Sequence, residues 1–242
     1  MKAMIFAAGM GTRLQPLTLK TPKALVEIDG VPLLEIIILR LKKYGFTDIV
    51  INIHHFAQQI IDFINANDSF GVKIHFSDET ALLLDTGGGL MKAQELLNDG
   101  EPVLIHNIDV ITNINLRELY DFHLKHNPLV TLAVKDRKTS RSLLVNNEGI
   151  LCGWKNNATG ETIIARGVEH ELLPIAYSCV QVIDPKLFSL LTEKDVFSIM
   201  PAFLRLAKDY NIATWKHNDD FWYEVGRIEN IKDAASYLQR LD

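Results

Sequence analysis

Apolar and polar positions follow two different patterns in the first half of the chain, and these patterns predict strands and helices in turn. Short continuous apolar runs are typical of strands buried on both faces, whereas apolar residues recurring every three or four positions indicate helices. The predicted strands are Lys2–Ala8, Asp48–Ile53, Val72–Ser77, Val103–Asn107 and Val130–Asp136. The predicted helices are Pro32–Tyr44, Phe56–Ala66, Gly87–Leu97 and Leu116–His126. The alternation predicts an α/β fold with a doubly wound, mostly parallel, Rossmann-like sheet.

The pattern changes after about residue 138. Two apolar stretches, Ser142–Val145 and Ile150–Trp154, flank a turn sequence and predict a β-hairpin, and the polar segment 156–170 predicts a loop. The other predicted strands are Ile175–Ile183, Ile212–Lys216 and Phe221–Val225, and the other predicted helices are a short one after Asp184, Phe197–Lys208 and Ile228–Leu241. We therefore predict a single domain over 1–242, in which 138–242 adds a small hairpin and helical subregion to the α/β half, 1–137.

The most informative chemistry follows the first predicted strand, where residues 7–13 read AAGMGTR. Gly9 and Gly11 have no side chains, so backbone N–H groups can approach a ligand closely. Arg13 offers a planar fork suited to phosphate oxygens, and Lys23 offers a compact point charge. This combination indicates that the loop handles a chain of phosphates.

Two common phosphate-binding loops do not fit. A dinucleotide-binding fingerprint needs a third glycine where Leu14 stands, and Pro16 would interrupt its helix, which disfavours an NAD-dependent oxidoreductase. An ATPase P-loop needs Gly-Lys followed by Ser or Thr, and that sequence is absent. Residues 9–13, 14–18 and 22–25 instead match Gly-x-Gly-Thr-Arg, Leu-x-Pro-Leu-Thr and Pro-Lys-x-Leu. In these three pieces the chain resembles the sugar-nucleotide pyrophosphorylases, which join a nucleoside triphosphate to a sugar 1-phosphate.

The resemblance implies roles for charged residues and a Mg²⁺ cofactor. Asp109 follows a buried strand, where ligand groups belong in open α/β sheets, and its counterpart in the family holds Mg²⁺. Glu224 stands where the family has an aspartate that is the second metal ligand. Arg13 would stabilise the departing pyrophosphate, and Lys23 would screen the two reacting phosphates, so Arg13, Lys23 and Asp109 are the predicted catalytic residues. Lys155 lies near the position of a lysine that binds the sugar phosphate.

The resemblance also assigns binding of the nucleotide to the half 1–137 and of the sugar phosphate to the half 138–242. Its predicted nucleotide-binding residues are Ala8, Gly9, Gly11, Thr12, Thr86, Gly87 and Gly88. The sequence Thr-Gly-Gly-Gly at 86–89 is similar to that of enzymes that uridylylate N-acetylmuramic acid 1-phosphate, and it also occurs near mannose- and heptose-1-phosphate guanylyltransferases. UTP is therefore the first choice and GTP the second. A catalytically weak nucleotide-sugar binding protein, and a transferase acting on a non-sugar phosphate such as phosphocholine, remain open.

Composition limits the partners. The net charge of −5 argues against nucleic acid, whose binding proteins are basic. No apolar stretch approaches the roughly 20 residues that span a bilayer, and we expect no membrane partner. Two cysteines favour a reduced, cytoplasmic protein. The expected partners are a nucleoside triphosphate and a sugar 1-phosphate, with homo-oligomerisation possible.

Overall fold

The computed structural model describes residues 1–238, which contain fourteen strands and eight α-helices. The strands are β1 (Lys2–Phe6), β2 (Glu27–Ile28), β3 (Val31–Pro32), β4 (Asp48–Ile53), β5 (Lys73–Asp78), β6 (Val103–Asn107), β7 (Val110–Thr112), β8 (Val130–Lys135), β9 (Arg141–Val145), β10 (Leu151–Asn156), β11 (Thr162–Ile164), β12 (Leu173–Ile183), β13 (Ile212–Lys216) and β14 (Trp222–Glu224). The helices are α1 (Leu33–Lys43), α2 (Ala57–Ala66), α3 (Asp85–Lys92), α4 (Gln94–Leu97), α5 (Leu116–His126), α6 (Lys186–Leu190), α7 (Ile199–Leu206) and α8 (Ile228–Leu238).

Four parallel strands in the order β6, β1, β4, β5 form one half of the main sheet. Strand β12 joins β6 in the antiparallel direction, β8 and β9 pair antiparallel with β12, and β13 runs parallel to β8. Phe6 lies opposite both Asn52 and Asn107, so the chain leaves β1, β4 and β6 at the same edge of the sheet. The expected α/β fold is confirmed, as a mixed sheet of mostly parallel character.

Helices cover both faces of this sheet. Ala3 and Ile5 of β1 contribute to the core beneath α1, α2 and α5, whereas Met4 contributes to the core beneath α3, α4 and α7. All three side chains are fully buried. Successive side chains of a strand point to opposite faces, so a strand between two helical layers must be apolar throughout. This explains why a continuous apolar run, rather than an alternating one, predicted the strand.

The clearest element boundaries belong to α5, which has the predicted bounds. Asn115 precedes it and accepts hydrogen bonds from the backbone N–H groups of Arg117 and Glu118, which have no partner within the helix. Asn127 follows it in the left-handed conformation, with φ at 48°, and so ends the helix. Local capping chemistry therefore fixes both ends of this helix.

The main differences from the predicted elements concern the helix before β6, the loop after β10 and strand β7. The predicted helix Gly87–Leu97 begins at Asp85 and is interrupted at Ala93, giving α3 and α4. The predicted loop 156–170 contains the short strand β11, because its backbone pairs with β10. Strand β7 was not predicted, since its three residues are too few for a periodic signal. Residues 239–241 of the predicted last helix lie outside the described residues.

Three buried histidines lie away from the surface: His106, His123 and His217. Loss of hydration on burial disfavours the charged imidazolium and lowers the pKa of each to about 4. In residues 1–238, no helix is both long enough and apolar enough to cross a membrane.

Candidate active site

The glycine loop after β1 is held by a buried polar network. The side-chain oxygen of Asn52 accepts hydrogen bonds from the backbone N–H groups of Ala7 at 2.6 Å and Ala8 at 3.2 Å. Its amide donates to Oε1 of Glu79 at 2.7 Å, and Oε2 of Glu79 accepts from the N–H of Leu84 at 3.0 Å. Asn52 and Glu79 thus join the glycine loop to the segment before α3. Sequence reasoning missed both residues, although a lone asparagine within an apolar strand was a usable signal.

The two glycines of the loop have different functions. Gly11 adopts a φ of 64°, and a Cβ there would lie 2.8 Å from Cγ2 of Thr18 and 3.1 Å from Cβ of Lys23, so Gly11 permits close packing beneath the loop. At Gly9 a Cβ would meet nothing within 4 Å, and the backbone borders open space. Thr12 is exposed and begins a short 3₁₀ helix. Of Gly9, Gly11 and Thr12, only Gly9 lines the first cavity described below.

Four predicted site residues form two ion pairs, which we call the cleft ion pairs. Nζ of Lys23 lies 2.5 Å from Oδ2 of Asp109, and both side chains are largely buried. A guanidinium nitrogen of Arg13 lies 3.2 Å from Oε1 of Glu224, and both of these side chains are substantially exposed. The exposed pair contributes little to stability because water and salt screen it. Both pairs can exchange partners when anions or cations enter the site.

A two-stranded sheet brings Asp109 and Glu224 to the wall of one cavity. Strand β14 pairs antiparallel with β7 so that Glu224 lies opposite Val110, and the N–H of Val225 donates to the carbonyl of Asp109 at 2.7 Å. Two carboxylates fit Mg²⁺, which commonly takes one or two protein carboxylates and fills its other positions with water and substrate phosphates. No group of three or more His, Cys, Asp or Glu within residues 1–238 is arranged to hold a metal. The donor set therefore suits a metal shared with substrate rather than a closed protein site.

Two cavities meet at these residues. The first has a volume of about 390 Å³ and is lined by Ala8, Gly9, Lys23, Asn52 and Glu79, among others. The second, of about 480 Å³, is lined by Arg13, Arg137, Arg141, Trp222 and Glu224, among others. Phe6, Thr86, Asn107 and Asp109 line both. The cavities form one cleft with Asp109 at the junction, so two ligands could bind side by side with their charged ends together.

The glycines at the start of α3 pack against protein. A Cβ at Gly87 would lie 2.2 Å from Cε2 of Phe197, and one at Gly88 would lie 2.3 Å from the carbonyl oxygen of Asp195. Neither glycine lines the cleft, whereas Thr86 does and also accepts a hydrogen bond from the N–H of Ile199 at 3.0 Å. The two glycines therefore pack closely against protein, and their contact with a nucleotide stays a prediction.

Lys155 is not brought into the cleft. It lines a separate cavity of about 550 Å³ together with Glu169 and His170, whereas the preceding residue, Trp154, lines the cleft. Neighbouring residues of a strand point to opposite faces, so the two side chains of β10 diverge. Lys155 therefore lies outside the cleft, and its contact with a sugar phosphate stays a prediction.

Cys179 lies in the second cavity at an irregularity of β12, with φ at 58°. Burial, and then the negative charges of Asp109 and Glu224, raise the pKa of its thiol to about 12. Arg137 and Lys23 oppose this increase in the pKa. Charged groups on both sides of the cleft therefore affect the pKa of this thiol, which stays protonated near neutral pH.

Comparisons with known proteins agree with this geometry. The family model described as nucleotidyl transferase matches residues 2–143. The chain is 31% identical to N-acetylmuramate alpha-1-phosphate uridylyltransferase of Neisseria meningitidis serogroup B, over 98% of this chain and 97% of that protein. It is 37% identical to mannose-1-phosphate guanylyltransferase catalytic subunit beta of Dictyostelium discoideum, over its whole length but only 66% of that relative. The crystal structure of HddC from Yersinia pseudotuberculosis, complexed with GMP-PN, matches this chain with a TM-score of 0.77 at 19% identity. The match covers 98% of this chain and 99% of that one, and at this identity it shows a shared fold.

Proposed function

The chain belongs to the nucleotidyl transferase family and is a nucleotidyltransferase, and we propose that it joins a nucleoside triphosphate to a sugar 1-phosphate and releases pyrophosphate. The observation that carries this proposal is the cleft of two cavities, which meet at Asp109 between Lys23 and Arg13. A reaction between two anions needs adjacent sites and positive charge where they meet. This cleft supplies both.

We assign the nucleotide to the first cavity and the sugar 1-phosphate to the second. Residues from 1–137 form most of the first cavity, and residues from 138–242 form much of the second. This supports the proposal that the first half binds the nucleotide and the second half binds the sugar phosphate. The open backbone at Gly9 lies beside the nucleotide. Thr86 lines both cavities and is positioned to contact either the nucleoside or the sugar.

The proposed reaction is an in-line displacement. An oxygen of the sugar phosphate attacks the α-phosphorus, the bond from that phosphorus to the oxygen bridging to the β-phosphate breaks, and pyrophosphate leaves with the bonding electrons. Two unit charges about 4 Å apart interact by roughly 4 kcal/mol at an effective dielectric near 20, so unscreened anions would not meet. Lys23 and Arg13 exchange their carboxylate partners for phosphate oxygens, and positioning with charge neutralisation supplies the catalysis.

Asp109 and Glu224 are the proposed ligands of Mg²⁺. When bound there, the ion would neutralise phosphate charge during the displacement. Release of the two carboxylates from the cleft ion pairs leaves Lys23 and Arg13 free for the substrates. The side chain of Glu224 is longer than that of the aspartate found in the family, and because it is half exposed it has room to adjust.

We propose UTP and N-acetylmuramate 1-phosphate as the first substrate pair. The supporting relative is a uridylyltransferase that matches this chain over nearly the full length of both proteins. GTP with mannose 1-phosphate is the second pair, supported by a relative of which the chain spans about two thirds. We also propose a cytoplasmic location, because both cysteines are free thiols and that compartment keeps thiols reduced.

A substrate matrix tests the proposed function. Pyrophosphate release is measured with Mg²⁺, the common nucleoside triphosphates and the 1-phosphates of N-acetylmuramic acid, mannose, glucose and heptose. We expect Lys23→Ala and Arg13→Ala to lower turnover by about a hundredfold or more while the folded state persists. Lys20→Ala, which removes an exposed lysine outside the cleft walls, is the matched control. Near-normal turnover in both cleft variants would contradict the assigned roles.

A further inference from the structure

The second cavity contains positive charge beyond the cleft ion pairs. Its carboxylates, Asp109 and Glu224, already have cationic partners. Arg137 and Arg141 line the same cavity, and neither forms an ion pair with a carboxylate of residues 1–238. The wall of this cavity therefore has a net positive charge that the protein itself does not compensate, which favours an anionic ligand.

Arg137 is held rigidly. Its guanidinium carbon lies 3.7 Å from the centroid of the Trp222 ring, and one terminal nitrogen donates to the carbonyl of Tyr177 at 2.8 Å. The indole N–H of Trp222 donates in turn to the carbonyl of Ser178 at 2.8 Å, which fixes the ring beneath the guanidinium. A cation fixed in this way loses little conformational freedom when it binds an anion.

Arg137 also has an unused donor. Its Nε is buried and has no hydrogen-bond partner among residues 1–238. Buried donors in native proteins are nearly always satisfied by protein, water or ligand, and leaving one unsatisfied costs free energy. A guanidinium carries five N–H donors, so Arg137 keeps further donors for phosphate oxygens besides the one bonded to Tyr177.

Arg137 lines the same cavity as the proposed metal ligands. Trp222 and Glu224 are separated by one residue on β14, so their side chains lie on the same face of that strand. Glu224 is one of the two proposed metal ligands, and Trp222 supports Arg137. Arg137 therefore lines the same cavity as both proposed metal ligands, Asp109 and Glu224.

We propose that Arg137 binds the phosphate of the sugar 1-phosphate, the role that the sequence suggested for Lys155. The inference rests on the proposed function and adds a residue that positions the second substrate. The positive charge of Arg137 favours a phosphate over a neutral sugar hydroxyl, and the support from Trp222 holds the guanidinium in one orientation. Arg141, which is exposed at the same cavity wall, adds attraction without the buried geometry.

The test compares variants in steady-state kinetics with the sugar 1-phosphate found by the substrate matrix. Arg137→Gln should raise the KM for that substrate by about tenfold to a hundredfold, the effect of losing a hydrogen bond between charged groups. The KM for the nucleotide should change by less than about threefold, because its site is the other cavity. Arg137→Lys, which keeps the charge but loses the planar guanidinium that stacks on Trp222, should give an intermediate value. Lys138→Gln, which removes an exposed charge from the adjacent residue outside the cleft, should match the parent.

Several outcomes overturn the inference. An unchanged KM for the sugar 1-phosphate in Arg137→Gln does so, and so does a parallel rise in both KM values with a lower melting temperature, which indicates a structural role only. An increase of the sugar-phosphate KM in Lys155→Gln in place of Arg137→Gln returns the role to Lys155. Failure of the proposed function is recognised separately: the parent then releases no pyrophosphate with any sugar 1-phosphate, and this inference falls with it.

Discussion

The hydrogen bond between Asn52 and Glu79 allows a stringent test of how the glycine loop is held. Asn52→Asp keeps an oxygen that can accept from the N–H groups of Ala7 and Ala8. It replaces the donor to Glu79 with a second carboxylate oxygen at a distance of 2.7 Å. The substitution is nearly isosteric, so its effect on stability reports electrostatics rather than a change in packing.

The expected magnitude follows from this distance. Two carboxylate charges 2.7 Å apart repel by about 6 kcal/mol at an effective dielectric near 20. Taking up one proton at pH 7 costs less, because an ordinary carboxyl pKa lies about three units lower and each unit is worth about 1.4 kcal/mol. We therefore expect the folded variant to bind a proton and to be about 4 kcal/mol less stable than the parent at pH 7. The unfolded variant lacks this proton, so the deficit should shrink by about 1.4 kcal/mol per pH unit toward pH 4.

Urea unfolding at several pH values measures the deficit against the parent at each pH. A second variant reverses the polarity of the bond: when Glu79→Gln is added to Asn52→Asp, the new amide donates to the new carboxylate. This pair should recover most of the lost stability and remove its pH dependence. A deficit that does not vary with pH, or a double variant as unstable as Asn52→Asp alone, would refute the reasoning.

Three further predictions concern packing and protonation. Gly87→Ala should lower the free energy of unfolding by about 1–3 kcal/mol, because its Cβ would lie 2.2 Å from the ring of Phe197, and adding Phe197→Leu should recover part of the loss in thermal melts. Cys179, with a thiol pKa of about 12, should resist iodoacetamide at pH 8 when folded and react in urea, as followed by mass spectrometry; rapid alkylation of the native protein would contradict the raised pKa of its thiol. Between pH 6.5 and 4 the unfolded chain binds more protons than the folded one at the three buried histidines. The free energy of unfolding should therefore decrease as the pH is lowered, by up to about 1.4 kcal/mol per pH unit for each histidine. His123→Gln should remove about a third of that slope in urea unfolding, and an unchanged slope would contradict the shift in its pKa.

The amino-acid sequence determined the helices and strands whose signals are local. The helix α5 has its predicted bounds because its caps are encoded within a few residues of each end. The strands β4, β6 and β13 also have their predicted bounds, since a buried strand needs a continuous apolar run. The position of Asp109 directly after a buried strand also indicated that it would lie at the ligand-binding edge of the sheet, because the carboxyl ends of parallel strands lie at the same edge.

Contacts between distant segments required the tertiary structure. Lys155 and Trp154 are neighbours in sequence, yet only Trp154 faces the cleft, because the register of β10 decides which of two adjacent side chains points inward. The glycines at 87 and 88 have the composition of a ligand-binding loop, but the segment around Phe197 packs against them. The position of the Arg137 guanidinium depends on its stacking against Trp222, a residue far from it in the sequence.

The motifs by themselves determined which chemical groups the protein has for handling phosphates, since the glycine loop, Arg13 and Lys23 lie within one short segment. Only the folded chain decided how these groups are paired, through the β7–β14 sheet that brings Glu224 to Asp109 and through the network of Asn52 and Glu79. The physical reason is that electrostatic and hydrogen-bond energies depend on distances of a few ångströms, which are set by strand register and packing between segments far apart in the sequence.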